Sequence, residues 1–465
     1  MEHNVKRCPK CGASELEYNI DKQKLVCNYC HSEFEQEKIE QEDLEKLEGY
    51  KISDGSKAIT DNNDLIVLKC DNCGAEVVIN SNDNNYRCHW CHSVLSLSSK
   101  IGNGMVPDLI LPFKISKEEA RSKIDSFVSN RKFFSDKMFK KEFKVDNIIG
   151  VYFPYLLIDC NCHANFCGDA GHVARSYTKV VGKDKDGNEE KETFYDIDIY
   201  SVVRDFDITI DDLEIESSKD KINKSNKEKT TNIINSIMPF DTANCVKYES
   251  NYLVGFNAEK RDLNIFNLED KIDKSIKDII RHSIKGDLKY YDAGVSWKNE
   301  TIKFKGKQIT SAFLPVWLYS YLDKHKILHY VAVNARTGET MGSVPLNKFR
   351  LAFMCILIFL IFISIPFIFA LFMYSAYKDA IIVSAPVFFF CFILGTIFSL
   401  VLLFTKLSKY RNKGARHKYE LETKTNISNL ERQDIKRTTL YEESFSFING
   451  INSNKIEGDS VTYKE

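Results

Sequence analysis

Eight cysteines stand in four Cys-x-x-Cys pairs: Cys8 with Cys11, Cys27 with Cys30, Cys70 with Cys73, and Cys88 with Cys91. Fifteen residues separate the first two pairs and fourteen the last two. This is the spacing of four-thiolate zinc sites. A Cys-x-x-Cys turn points two sulfurs at one ion, and a short hairpin brings a second turn opposite. Four thiolates then close a tetrahedron with no open coordination position, which is structural rather than catalytic chemistry. Two structural zinc ions per chain are expected. The same motif also serves disulfides and redox dithiols. The expected cytoplasmic location argues against disulfides, and no βαβ pattern accompanies the pairs as a redox motif would require.

The two units read as copies. Cys11-Gly12-Ala13 matches Cys73-Gly74-Ala75, and Cys30-His31-Ser32 matches Cys91-His92-Ser93. Strand-like stretches lie between the pairs, at Leu16 to Ile20, Lys24 to Val26 and Glu76 to Asn80. Units of about 30 residues bury too little core to fold without metal. Because each site has four thiolates, His31, His89 and His92 are expected as neighbours, not ligands.

A phosphate-tracking surface needs an excess of Lys and Arg. Residues 1–35 carry five basic and six acidic side chains, and residues 69–92 carry two and three. Tyr29, Tyr86 and Trp90 are the ring candidates for base stacking, although aromatics in such small units more often build the core. Protein contact is the preferred role, with nucleic-acid binding as the alternative.

Other chemistry is sparse. The sequence has no GxxxxGK[ST] phosphate loop, GxGxxG, HExxH or GxSxG motif. No small-molecule substrate or catalytic constellation is evident. Cys160, Cys162, His163, Cys167 and His172 form one local cluster, open to two readings: a third metal site, or free thiols in a buried strand.

The chain has 465 residues, with 64 basic and 65 acidic side chains and a net charge of −1. That balance excludes a globally basic nucleic-acid binder. The expected fold is multi-domain: two small-β zinc ribbons, a cytoplasmic α+β domain, and a C-terminal two-helix transmembrane hairpin. By residue number, ribbon 1 is 1–36 and an acidic helical linker and loop is 37–64. Ribbon 2 is 65–98, the α+β domain 107–348, the hairpin 349–406, and a basic then polar cytoplasmic tail 407–465. From Tyr419 the tail reads as disordered or partly helical.

In the α+β domain, Ser116-Lys117-Glu118-Glu119 is a capping box opening a helix to about Arg131. Leu268 to Ile284 is a second amphipathic helix. Asn147 to Cys162, Phe194 to Val203, Ile309 to Tyr321 and Lys326 to Val333 read as strands. Lys219 to Thr231 reads as a mobile loop. Phe153-Pro154-Tyr155 and Leu314-Pro315-Val316 echo one another, consistent with a duplicated unit whose prolines sit at edge or first-residue positions.

Between 351 and 405, 44 of 55 residues are apolar, including 12 of the 31 phenylalanines. The uncharged runs 351–377 and 380–405 are each long enough to span a bilayer. Lys348 and Arg350 precede them, and Lys406, Lys409, Arg411, Lys413, Arg416 and Lys418 follow. The positive-inside rule then predicts a two-span cell-membrane protein with both termini cytoplasmic and the membrane bilayer as a partner.

The order of these parts resembles the bacterial membrane-anchored TFIIB-type zinc-ribbon proteins, often catalogued with the primosomal helicase PriA. The resemblance rests on residues 8–30 (CPKCGA…CNYC), 111–120 (LPFKISKEEA), 150–159 (GVYFPYLLID) and 238–256 (MPFDTANC…YLVGF). It continues at 314–321 (LPVWLYSY) and 330–345 (YVAVNARTGETMGSVP). It implies adaptor work at the inner membrane face, linked to envelope stress, with protein partners such as SPFH- or PspA-like membrane proteins. The second four-cysteine unit and the 160–167 cluster depart from the family pattern. A helicase activity is not expected, because no ATP-binding motif exists to drive it. The expectation from sequence is therefore a non-enzymatic, membrane-anchored zinc-ribbon adaptor, with a membrane-tethered nucleic-acid binder as the alternative.

Overall fold

The computed structural model describes residues 7–13, 16–35, 39, 43–57, 65–70, 72–80, 87–93, 95, 100–101, 106–183, 189–218, 237–261, 263, 265–322, 328–376, 380–411 and 419–443. Tyr86, the 219–231 loop and the Lys378-Asp379 turn lie outside these residues.

The first ribbon is a three-stranded sheet of β1 (Leu16–Asn19), β2 (Lys24–Cys27) and β3 (Glu33–Phe34). Among the described residues of the expected acidic linker there is a short 3-10 turn at Leu44–Lys46, followed by β4 (Gly49–Ile52) and the one-turn α1 (Asp54–Lys57). The second ribbon contributes β5 (Leu65–Lys69) and β6 (Glu76–Asn80), and β7 (Lys100–Ile101) and β8 (Leu109–Ile110) follow. The capping box holds. Ser116 Oγ accepts from Glu119 N at 3.2 Å and opens α2 (Lys117–Ser129), after which comes the short α3 (Lys137–Glu142).

Next come two strands of unusual length, β9 (Ile149–Lys183) and β10 (Glu189–Glu216). The short β11 (Val246–Lys247) and β12 (Asn257–Glu259) lead to α4 (Ile265–Ser283), then β13 (Gly294–Leu322), β14 (Leu328–Asn334) and β15 (Thr340–Gly342). Two long helices, α5 (Lys348–Ala376) and α6 (Ala380–Arg411), precede the last strand, β16 (Lys424–Glu443).

The expected α+β domain is instead part of one large mixed sheet of thirteen strands, with few helices. Its spine is the antiparallel series β16-β10-β9-β13. Segments that read separately in sequence merge into single strands. Phe194 to Val203, for example, is the middle of β10, which runs on at both ends. Register shifts at Asp196/Ile197 and Ile210/Leu213 mark bulges, which let so long a ribbon bend without ending. The stripe Ile265, Leu268, Ile272, Ile276, Ile279 and Ile280 of α4 is buried on one face of the ribbon, against Phe166, Phe206 and Ile208. Helix α2 buries Ala120, Ile124, Phe127 and Val128 in the cluster that holds Phe113 and Trp317.

The two proline echoes are partners in the sheet. Phe153 pairs with Leu314, Pro154 with Phe313 and Pro315 with Tyr152. Neither proline is at an edge or a strand start, which corrects the expectation from sequence. Each sits where the neighbour on the other side changes. On that side of β9, β12 pairs at Val151 and Tyr152, and β10 takes over from Tyr155. On that side of β13, β8 pairs at Ala312 and Phe313, and β14 takes over from Val316. At such a seam no strand requires the missing N–H.

The transmembrane expectation is corrected. Side chains are described over 348–362, at 364 and 368, and over 389–407 apart from 391. Among the described residues, no helix is long and apolar enough to cross a membrane. The two-span, cell-membrane placement is therefore not carried forward. Part of the apolar run is committed to protein. Leu351 is buried, and Met354, Cys355, Leu403 and Leu407 pack against the cluster of α2. The two helices also meet each other, with Ser399 Oγ donating to Cys355 O at 3.1 Å. The flanking charges do likewise: Arg350 donates to Phe133 O at 2.8 Å, and Lys406 lies 5.8 Å from the Phe134 ring centre. The polar tail is corrected too, since 424–443 returns to the sheet as β16.

Candidate metal centres

Each centre is built from two turns of the same form. In the first, Gly12 N donates to Cys8 O at 2.8 Å and His31 N to Cys27 O at 2.9 Å. In the second, Gly74 N donates to Cys70 O at 2.7 Å and His92 N to Cys88 O at 2.8 Å. The residue after each pair takes a left-handed backbone: Gly12 at φ 74°, His31 at 57°, Gly74 at 75° and His92 at 58°. Glycine takes that conformation without strain, which explains Cys-Gly after the first pair of each unit.

The turns bring the eight cysteines into two groups of four. In each group the sulfurs lie within 4.8 Å of one another. Cys8 and Cys30 are 3.5 Å apart, Cys11 and Cys27 3.7 Å, Cys70 and Cys91 3.4 Å, and Cys73 and Cys88 3.5 Å. A tetrahedron with metal–sulfur bonds of about 2.3 Å has edges of about 3.8 Å, so both groups fit a closed four-thiolate ion. The chain is compatible with two structural metal ions. The sulfurs are electrostatically uneven. The Ser32 hydroxyl and backbone lower the Cys30 thiol to about 6. The Cys88 sulfur lowers Cys73 to about 5, while burial pushes Cys70 up to about 11.

The two centres are held very differently. The second is fused to the large sheet. Its β6 pairs with β12 at Val78–Ala258 and Val77–Glu259, and β12 runs parallel to β9. His89 and Trp90, the two residues inside the last Cys-x-x-Cys, are 0% and 3% exposed. His89 Nε2 lies 2.8 Å from Glu259 Oε2, and Trp90 Nε1 donates to the same oxygen at 2.8 Å. Ser320 Oγ donates to His89 O, and His92 Nε2 meets Ser320 O at 2.9 Å. Trp90 also packs edge-on against Phe153 and Tyr330. Of its two readings Trp90 thus follows the core one: it is a core anchor.

The first centre is borne on its own small sheet. Tyr18 Oη donates to Phe113 O at 2.8 Å, and Asn251 Nδ2 donates to Leu16 O at 2.7 Å. Its outer turn stays open to solvent. Cys11 is exposed, and Tyr29, beside Cys30, is 74% exposed.

The cluster at 160–172 is dispersed. Cys160 and Cys162 are side by side in the core beneath α4. His163 instead meets Asp207 at 3.0 Å and Asp205 at 3.5 Å, and His172 stacks on Tyr290. Among the described residues these five do not assemble into a ligating group. A different group does gather: carboxylate oxygens of Asp159, Asp211 and Asp212 lie within 4.8 Å of one another. The chain supplies its own donors there. Lys424 Nζ is 2.7 Å from Asp211, and Asp212 N donates to Asp159 at 2.8 Å. The residues that sequence reasoning missed are Glu259 and Ser320. No local pattern marks them, because each is more than 160 positions from the ribbon side chain it holds.

Fold and site together define a chain with two four-cysteine centres, one carried on a separate small sheet and one built into a large mixed sheet. No family model matches the chain, and no solved structure matches it. It is similar to the uncharacterised protein YdjG of Bacillus subtilis (strain 168), with 23% identity over 256 residues, or 55% of this chain and 69% of the relative.

Proposed function

We propose that this chain is a zinc-binding adaptor in which the second ribbon is a structural brace and the first presents a protein-contact surface. The inequivalence of the centres carries this reading. The second ribbon spends Trp90, His89 and His92 on the Glu259 and Ser320 contacts. The first keeps Tyr29 exposed beside its metal turn, and an exposed tyrosine offers rigid amphipathic contact area at low entropic cost. Zinc is the metal proposed because four thiolates in a closed tetrahedron suit it. The near-even charge of the first ribbon favours protein over nucleic acid. The likeness of segments 8–30, 111–120 and 330–345 to TFIIB-type zinc-ribbon proteins agrees with this choice.

The test has two parts. Elemental analysis of the purified full-length chain should find about two zinc ions per chain; none, or iron, would refute the metal. A photo-crosslinking residue in place of Tyr29 should capture protein in cells. Salt-sensitive capture of DNA or RNA alone would replace this reading with the nucleic-acid one.

A further inference from the structure

Strand β16 is bound to the molecule by its main-chain pairing with β10 and by side-chain charge. Among the described strands it pairs with β10 alone. Along its length one basic or amide side chain after another meets an aspartate. Lys424 meets Asp211 at 2.7 Å, Asn429 meets Asp207 at 2.9 Å, and Arg432 meets Asp287 at 2.5 Å. Lys436 meets Asp198 at 2.6 Å, and Arg437 meets Asp169 at 3.4 Å. One pair runs the other way, from the buried Arg204 to Asp434 at 2.6 Å. Apolar anchoring is slight. Ile427 and Leu430 are half-buried against the cluster under α4, and residues 431–438 are all exposed.

These features place β16 low in local stability. Exposed ion pairs contribute a few tenths of a kcal/mol to about 1 kcal/mol each and weaken as salt screens them. An element with few buried apolar contacts opens before the rest of a fold. The β9–β13 pair shows the contrast: from Val151 to Ile158, β9 is buried at every residue. The surface that β16 covers carries five aspartates, on β9, β10 and the turn after α4. Once uncovered, it offers an open strand edge bearing aspartates, of which Asp287, Asp169 and Asp207 keep a basic neighbour in Arg204, Lys298 and Lys305. Strand addition uses the main chain for affinity and side chains for selection.

We propose that residues 424–443 are an internal ligand: an extended segment with four basic and four acidic side chains, whose basic groups sit on aspartates of β9, β10 and the turn after α4, released as a unit when its charges are screened, leaving an acceptor for an extended strand that presents basic side chains to those aspartates. The test follows hydrogen exchange of the full-length chain at about 50 mM and about 500 mM salt. Exchange over 424–443 and 197–211 should rise about tenfold at the higher salt, as several screened pairs together allow. Exchange over 151–158 and 309–316 should stay constant. Lys424→Glu, Arg432→Glu and Lys436→Glu combined should release the strand already at low salt. A synthetic peptide of residues 424–443 added to that variant should restore protection over 197–211. Salt-independent exchange of β16, failure of the peptide to protect β10, or loss of protection across the whole sheet in the variant would each overturn the proposal.

Discussion

The Trp90 indole donates to the Glu259 carboxylate at 2.8 Å inside a buried site, joining the second metal turn to strand β12. That oxygen also meets His89. Removing the carboxylate leaves two buried polar rings without it, and unsatisfied buried donors are costly. Glu259→Ala should therefore destabilise the chain by on the order of 2–4 kcal/mol. The check is urea denaturation together with metal release to a chelating dye. One metal equivalent should leave faster while the other keeps its wild-type rate. Equal acceleration of both would contradict the coupling.

Breaking the two centres should have unequal effects. Cys11→Ser removes one thiolate from a separate three-stranded sheet, tied to the body by the side chains of Leu16, Tyr18 and Leu25 in the α2 cluster and by hydrogen bonds with Phe113 and Asn251 but by no shared strand pairing. Cys73→Ser removes one from a centre whose strand β6 is hydrogen-bonded to β12. Each variant should lose about one metal ion. Differential scanning calorimetry should show the larger fall in the melting temperature of the main transition for Cys73→Ser. A larger fall for Cys11→Ser would reverse the assignment of brace and contact surface.

The left-handed turns set a rule for substitution. Gly74 has φ 75° and no neighbouring atom within 4 Å of an added Cβ. Gly74→Ala should therefore cost about 1–2 kcal/mol through backbone conformation alone. His31, after the second pair of the first centre, holds a left-handed backbone at φ 57° with a side chain; His31→Gly relieves that strain and should be tolerated. Denaturant midpoints of both variants decide this.

Glu214 gives the chain a pH dependence of opposite sign to the usual carboxylate. Burial pushes its carboxyl up to about 8, against the lowering effect of the Phe240 N–H. The folded state thus holds a proton that the unfolded chain releases near pH 4.5. Stability from this group is complete below about pH 4.5 and is lost as pH rises toward about 8. Glu214→Gln should flatten that slope and stabilise the chain at pH 8, by on the order of 1–3 kcal/mol. Urea midpoints at pH 5 and pH 8 measure it.

Asp207 acts in the ordinary direction. Lys305 first, then Asn429 of β16, hold its carboxyl down to about 2. Its contribution is present above the usual value of 3.8 and is lost as pH falls through about 2. Acidification from pH 4 to pH 2 should loosen β16, and Asp207→Asn should remove the part of that dependence that it causes. Hydrogen exchange over 424–443 at both pH values is the check.

Much of the candidate site was legible in the chain. Cys-x-x-Cys-Gly and Cys-x-x-Cys-His-Ser specify turn, sulfur direction and coordination within a few residues, so spacing alone located both centres. The capping box at Ser116 and the apolar stripe of α4 were legible for the same reason: helix signals lie within one or two turns. The long strands were not. Bulges and changes of neighbour interrupt the two-residue alternation of β9, β10 and β13, and a pattern broken in this way reads as several short strands.

What the sequence determined by itself is therefore local: eight thiolates in two closed sets, the turns that aim them, and the helices that follow their caps. Tertiary structure decided the rest. It buried Trp90 and His89 of one ribbon on Glu259 while leaving Tyr29 of the other exposed. It turned part of an apolar run toward protein, and it drew a polar tail into the sheet. Each of these outcomes depends on pairings between residues far apart in the chain, such as Lys436 with Asp198. An extended charged segment holds no information about its own partner. Its conformation follows from the opposite charges and open backbone edge that the fold places beside it.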